Sequence, residues 1–116
     1  MITGGAGFVG SHLTESLLKK NHELTIITRK QTKNLEHIKK EIKIEKFDIS
    51  NFKSINESII KNKPEIIVHL AGNTSHSKSF EKPLMDINSN IKSTLNILES
   101  LRSSLTNCKF VLGSTF

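Results

Sequence analysis

The chain has one cysteine, Cys108, and no tryptophan or tyrosine among its 116 residues. A lone cysteine excludes an internal disulfide and a cysteine-cluster zinc site. A single thiol suits a reducing compartment, so a cytoplasmic protein is expected. His12, His22, His37, His69 and His76 offer no alternative metal site. No pair of them, with or without Cys108, has a ligand-like spacing, and no metal is expected. No apolar run approaches the ~18 residues of a membrane span. The opening stretch MITGGAGFVG has neither the basic start nor the apolar core of a signal peptide, so no membrane partner is expected. The aromatic residues are six phenylalanines, mostly at core-like positions, which leaves few stacking platforms for nucleic acid. The formal charge of +6 is mostly lysine scattered along the chain. That describes a solvated surface, and no specific nucleic-acid binding is expected. At 35% hydrophobic and 24% charged, the chain can bury a core and is short enough to form one compact domain.

What is present alternates between apolar runs and amphipathic stretches. Residues 1–3 form the tail of a strand that runs straight into glycines. Residues 11–20 form a helix with Leu13, Leu17 and Leu18 on one face. The β-branched run LTIIT at 24–28 is a buried strand. Residues 34–41 are a short helix or a loop, and 42–47, with Ile42, Ile44 and Phe47, are another strand. The stretch Asp48-Ile49-Ser50-Asn51 supplies capping chemistry, and Phe52, Ile55, Ile59 and Ile60 mark the helix it opens. Lys63-Pro64 stops that helix. EIIVHL at 65–70 is the next buried strand, and 71–81 is polar loop. Pro83 suits a first helical turn. Leu84, Ile87, Ile91, Leu95, Leu98 and Leu101 then repeat at intervals of three and four, predicting a long helix to about residue 103. KFVL at 109–112 is the last strand.

Strands alternating with helices predict a parallel sheet covered on both faces. The fold class is therefore α/β: a Rossmann-type doubly wound parallel sheet, incomplete at about five strands. Ligands of such sheets sit beyond the carboxyl ends of the strands. Here that means after residues 3, 28, 47, 70 and 112.

The first of these ends reads Thr3-Gly4-Gly5-Ala6-Gly7-Phe8-Val9-Gly10. Gly4 allows a tight turn out of the strand. Gly7 lets a phosphate approach the backbone, and Gly10 lets the helix pack closely on the sheet. The free N–H groups and positive dipole end of the following helix, around Phe8 and Val9, point at the same place. A pyrophosphate is the natural occupant, and the position between a strand end and an amphipathic helix supports dinucleotide binding. A nucleoside-triphosphate loop needs Gly-Lys-Ser/Thr, whereas this chain has Gly10-Ser11-His12.

The stretch TGGAGFVGSHL is similar to the opening of the extended short-chain dehydrogenases, the nucleotide-sugar epimerases and dehydratases. Four further motifs carry the resemblance along the whole chain. Asp48-Ile49 resembles the family's Asp-aliphatic pair, which contacts the adenine. Leu70-Ala71-Gly72 resembles the turn that runs along the cofactor. Asn90-Ile91-Lys92-Ser93-Thr94, with Asn96 and Leu98, resembles the family's motif in the long helix, with Ser93 in place of a glycine. Ser114-Thr115 resembles the Ser-Ser or Ser-Thr after the fifth strand.

The end of the second strand bears on NAD against NADP. A carboxylate there accepts hydrogen bonds from the ribose hydroxyls and repels a 2′-phosphate. This chain has Thr28-Arg29-Lys30, which favours the extra phosphate and weakly prefers NADP. Arg29 and Lys30 also fit ordinary solvated charges. Asp48 suits both a cofactor contact and a cap of the following helix.

The resemblance implies transient hydride transfer from a nucleotide-activated sugar, with a tyrosinate base and a lysine four residues beyond it. It also implies a hydroxyl from Thr115, or second Ser114, on the same sugar oxygen. Both hydroxyls equally suit strand-end capping. No tyrosine is present, so residues 1–116 are expected to be the NAD(P)-binding N-terminal portion of a larger enzyme, inactive alone and lacking the substrate-binding region. The alternative is a non-enzymatic dinucleotide-sensing module. His76 and Ser77, in the loop after the fourth strand, suit either substrate contact or plain solvent exposure. The resemblance further implies a homodimer in the full-length protein, with residues 83–103 near the interface.

Overall fold

The β-branched runs form the strands. A computed structural model describes residues 1–29, 32–73, 80–104 and 107–114. Its strands are β1 (Ile2–Thr3), β2 (Thr25–Thr28), β3 (Lys43–Lys46), β4 (Ile66–His69) and β5 (Lys109–Leu112). All pair in parallel, in the order β3-β2-β1-β4-β5. The chain builds outward from β1 on one side, then returns to its other flank with β4. The gap between β1 and β4 is thus the topological switch point of the sheet.

Between the strands run α1 (Phe8–Leu18), a 3₁₀ segment (Lys33–Ile38) and α2 (Phe52–Asn62). The 3₁₀ segment decides the stretch that the sequence left between helix and loop. Asn51 caps α2 by accepting the Ser54 N–H at 3.2 Å. The helix ends at Lys63, in the left-handed region at φ 42°, before Pro64. A continuous helical run follows the fourth strand: α3 (Pro83–Asp86), a π-helical stretch (Ile87–Lys92) and α4 (Ser93–Ser103).

Alternation along the strands sends side chains to two cores, one on each face of the sheet. Ile27, Ile67, Ile55, Ile59 and Ile97 pack on the α2 and α4 side. Ile2, Leu24, Ile26 and Leu35 pack on the α1 side.

Three expectations need correction. Helix α1 begins at Phe8, three residues before the predicted start, so Gly10 lies inside it. The apolar stripe of the long helix is not its inward face: Leu84, Ile87, Ile91, Leu95 and Leu98 are exposed, while Ser93, Asn96, Ile97 and Ser100 are buried. Small polar residues allow close approach here and form hydrogen bonds inward. Asn96 Nδ2 donates to the Ile49 carbonyl at 3.0 Å, and Ser100 Oγ to Asn56 Oδ1 at 2.8 Å. The phenylalanines are also not mostly core. Phe8, Phe52 and Phe80 are exposed, because each stands at or near the start of a helix and outside the apolar layers.

Candidate functional site

The glycine turn is built by exclusion. Gly4 has φ +71°, and a Cβ on it would lie 2.7 Å from the Ala71 nitrogen. A Cβ on Gly10 would lie 2.2 Å from the Gly4 carbonyl oxygen. The backbone of the β1–α1 turn therefore fits between α1 and the strand-end turn after β4 only if both residues lack side chains. The expected packing of Gly10 on the sheet is closer to the truth for Gly5, whose missing Cβ would meet Ile26 Cγ2 at 2.8 Å. The Gly7 N–H closes the turn on the Gly4 carbonyl at 2.9 Å.

Helix α1 starts immediately after Gly7, with no side-chain cap at its N-terminus and no acidic residue in its first turn. Its first N–H groups and positive dipole end thus face the cleft with neither a side-chain cap nor a first-turn carboxylate among the described residues. The cleft encloses about 610 Å³. Gly4, Gly7, Phe8, Val9 and Gly10 form its floor; Thr28 and Arg29 close one end, beside Asp48 and Ile49; Leu70, Ala71 and Gly72 form the opposite wall. Residues from four strand ends, up to 68 positions apart, are brought to one crevice.

At the end of β2, Arg29 Nη1 stands 3.3 Å from Asp48 Oδ2. Asp48 Oδ1 accepts the Ser50 N–H at 2.9 Å. Burial works to raise the Asp48 pKa, but the Ser50 bonds and the Arg29 charge outweigh it and hold the carboxyl below its ordinary value. Asn51, not Asp48, supplies the side-chain cap of α2, and Asp48 lines the cleft with its carboxylate held by Ser50 and Arg29.

Asn90 is not among the residues lining the cleft; its neighbour Ser89 is. The Asn90 carboxamide accepts the Asn73 N–H at 2.7 Å, which holds the turn after β4 against the long helix. Ser114 is exposed beyond the end of β5 and does not line the cleft. Thr115, Lys30, His76 and Ser77 lie outside the described residues.

Sequence reasoning missed Ala6, Ile27, Phe47 and Ser89 in the cleft wall. It also missed Asn34, whose Nδ2 donates to the Ala6 carbonyl at 3.0 Å and tethers the glycine turn to the 3₁₀ segment. Only a fold that brings residue 34 back over residue 6 reveals that contact. His69 is 1% exposed, as expected of a packed core residue. Among the described residues, no group of three or more His, Cys, Asp or Glu is placed to hold a metal ion, and no helix is long and apolar enough to cross a membrane.

A doubly wound parallel sheet with an uncapped helix opening from a glycine turn at its switch point defines a Rossmann-type α/β domain. Residues 1–116 match the family model described as GDP-mannose 4,6 dehydratase, and the chain belongs to that family of extended short-chain dehydrogenases/reductases. It is 34% identical over 121 residues to CDP-paratose 2-epimerase of Salmonella typhi, covering 99% of this chain and 36% of that protein. It is 35% identical over 103 residues to UDP-N-acetyl-alpha-D-glucosaminuronate decarboxylase of Bacillus cytotoxicus, covering 86% of this chain and 32% of that protein. Among solved structures, the UDP-glucose 4-epimerase of Thermus thermophilus in complex with NAD superposes with a TM-score of 0.82 at 28% identity, over 90% of this chain and 34% of that one. The chain spans about a third of the length of the curated relatives it matches.

Proposed function

We propose that residues 1–116 are the NAD(P)-holding domain of an enzyme that acts on a nucleotide-activated sugar by transient hydride transfer, as an epimerase, dehydratase or reductase. The observation that carries this is the cradle between Gly4, Gly10 and Ala71, which a single Cβ would fill, facing an uncapped helix N-terminus. It fits a pyrophosphate: backbone N–H groups for the oxygens, a positive dipole end, and no carboxylate in the first turn.

The bound dinucleotide would supply a nicotinamide that takes a hydride from the sugar and returns it. The protein's contribution is placement. Gly7, Phe8, Val9 and Gly10 present amides to the phosphates. Asp48 and Ile49 border the adenosine end, and Leu70, Ala71 and Gly72 flank the path toward the nicotinamide. Asn90 acts through Asn73, positioning that flank. Thr115, or Ser114, takes the hydroxyl role after β5 that the family resemblance implies. The family's tyrosine base is not supplied by these residues, which include no tyrosine.

Between the cofactors, Thr28 and Arg29 favour NADP weakly. A 2′-phosphate gains the guanidinium only in competition with Asp48, and NAD needs no such exchange. The NAD in the Thermus thermophilus epimerase supports the dinucleotide reading as a class. For the full-length protein we propose a cytoplasmic homodimer, supported by the uncovered apolar stripe of the long helix.

Calorimetry of NAD and NADP with the chain tests the reading. Saturable one-site binding is expected, lost in Gly10→Ala. Absence of heat with both cofactors would overturn it.

A further inference from the structure

Thr3 and His69 are direct partners in the β1–β4 register, and both project to the face covered by α4. The hydrogen bonds around His69 determine its tautomer. Thr94 Oγ1 donates its one hydrogen to the Asn90 carbonyl at 2.6 Å. Toward His69 Nε2, at 3.1 Å, it can therefore only accept, and Nε2 must carry the proton. In a neutral ring Nδ1 is then a bare acceptor, and the Thr3 hydroxyl 2.5 Å away donates to it. That leaves a Thr3 Oγ1 lone pair for the Ala71 N–H at 3.4 Å. One polarised chain of bonds thus runs from Ala71 through Thr3, His69 and Thr94 to Asn90. It ties the turn lining the cleft to the π-helical stretch of the long helix. The Ala71 nitrogen is also the atom that a Cβ on Gly4 would strike at 2.7 Å, so its position sets the space left for the glycine turn.

We infer that His69 is a positioning residue: as the neutral Nε2–H tautomer, it holds the Ala71 amide at the depth that keeps the glycine turn open for a dinucleotide. A proton on Nδ1 would make the ring a donor toward Thr3. The Thr3 hydroxyl would then have to accept from the ring and from Ala71 together, with its own hydrogen left without this partner. The groups facing the ring are Thr3 from β1, Thr94 from α4 and Phe110 from β5, none of them charged. Burial accordingly keeps the imidazole pKa below its ordinary value.

The affinity arm of the test rests on the dinucleotide reading; the spectroscopic arm does not. Long-range ¹H–¹⁵N spectra of the ¹⁵N-labelled chain near neutral pH should show His69 with Nε2 protonated and Nδ1 bare. A protonated Nδ1, or rapid averaging between tautomers, would overturn the inference even if no variant folds. His69→Asn retains an acceptor for Thr3, whereas His69→Leu leaves the Thr3 hydroxyl hydrogen without its acceptor, Thr94 keeping its bond to the Asn90 carbonyl. The Gly4 and Ala71 amide resonances should move in the leucine variant and return toward their original positions in the asparagine one. NAD affinity should fall about tenfold in His69→Leu, the scale of one buried polar group left unpaired, and recover in His69→Asn. In the unaltered chain that affinity should hold at neutral pH and decline only as pH falls through the lowered imidazole pKa, and stay flat in His69→Asn. Unmoved Gly4 and Ala71 resonances in His69→Leu, or the same pH profile in His69→Asn, would refute the positioning role. The assigned tautomer with no NAD binding would instead refute the dinucleotide reading.

Discussion

Arg29 reaches from the end of β2 to Asp48 just past β3, its Nη1 3.3 Å from Asp48 Oδ2. Both side chains are about half exposed, so water screens the pair and it adds little to stability. Its consequence is for specificity. The cation that would receive a 2′-phosphate already has an anionic neighbour. Asp48→Asn should therefore raise NADP affinity severalfold relative to NAD. Arg29→Asp should lower NADP affinity by about tenfold or more and spare NAD. Calorimetry with both cofactors reads this directly. An unchanged preference in Arg29→Asp would remove Arg29 from the account.

The glycines separate folding from binding. Gly10→Ala drives a Cβ to 2.2 Å from the Gly4 carbonyl, a clash with backbone that should cost about 1–3 kcal/mol of stability and abolish dinucleotide binding. Gly7→Ala places its Cβ at 3.2 Å from the same oxygen, and the residue is otherwise open to solvent. It should unfold close to the parent in urea yet bind dinucleotide far more weakly. Equal losses of stability in the two variants would contradict the division.

Asn34→Ala removes the tether on Ala6 at an exposed site. Stability should fall by about 0.5–1.5 kcal/mol at most, and cofactor affinity severalfold. If affinity is unchanged, the turn holds its shape without that side chain.

Acid should destabilise the chain in two stages. Burial lowers the His69 pKa, so the folded state resists a proton that the unfolded chain accepts. Stability is then complete above the ordinary imidazole value and lost as pH falls below about 6.5 toward the lowered one. For Glu45, burial opposes ionisation, but bonds from Ser58, Asn62 and Lys43 prevail and lower its pKa; Asp48 is lowered as well. Their contribution is present above about pH 4 and lost as pH drops through the lowered values. Urea midpoints against pH should show both declines. In His69→Asn the upper one should vanish.

The exposed stripe of Leu84, Ile87, Ile91, Leu95 and Leu98 predicts self-association of the chain. Sedimentation should show concentration-dependent mass, reduced to a monomer by Ile91→Lys with Leu95→Lys. A clean monomer of the parent at high concentration would contradict this.

The long helix shows where sequence periodicity misleads. Its leucines and isoleucines repeat at helical spacing, yet Ser93, Asn96 and Ser100 are the buried residues beside Ile97. Periodicity locates an apolar stripe but does not say which neighbour covers it. On α1 the same thing happens in milder form: Gly10, Ser11 and Thr14 are buried while Leu13, Leu17 and Leu18 are only half-buried around them. By contrast, parallel topology alone sends the strand ends after residues 3, 28, 47, 70 and 112 to the same edge, and residues after the first four line the crevice, whereas Gly113 and Ser114 after the fifth do not.

Local chemistry was enough to determine the alternating α/β layers, the glycine turn and the helix that opens from it. Each depends on residues within a few positions of one another: β-branched runs, a missing Cβ, a capping asparagine. The tertiary structure decided the rest: the inward face of α4, the pairing of Arg29 with Asp48, the Asn34 tether, and the bond between Thr3 and His69, which lie 66 residues apart. Those contacts arise only when strand order places distant segments side by side, and no local pattern encodes which distant partner a polar side chain will meet.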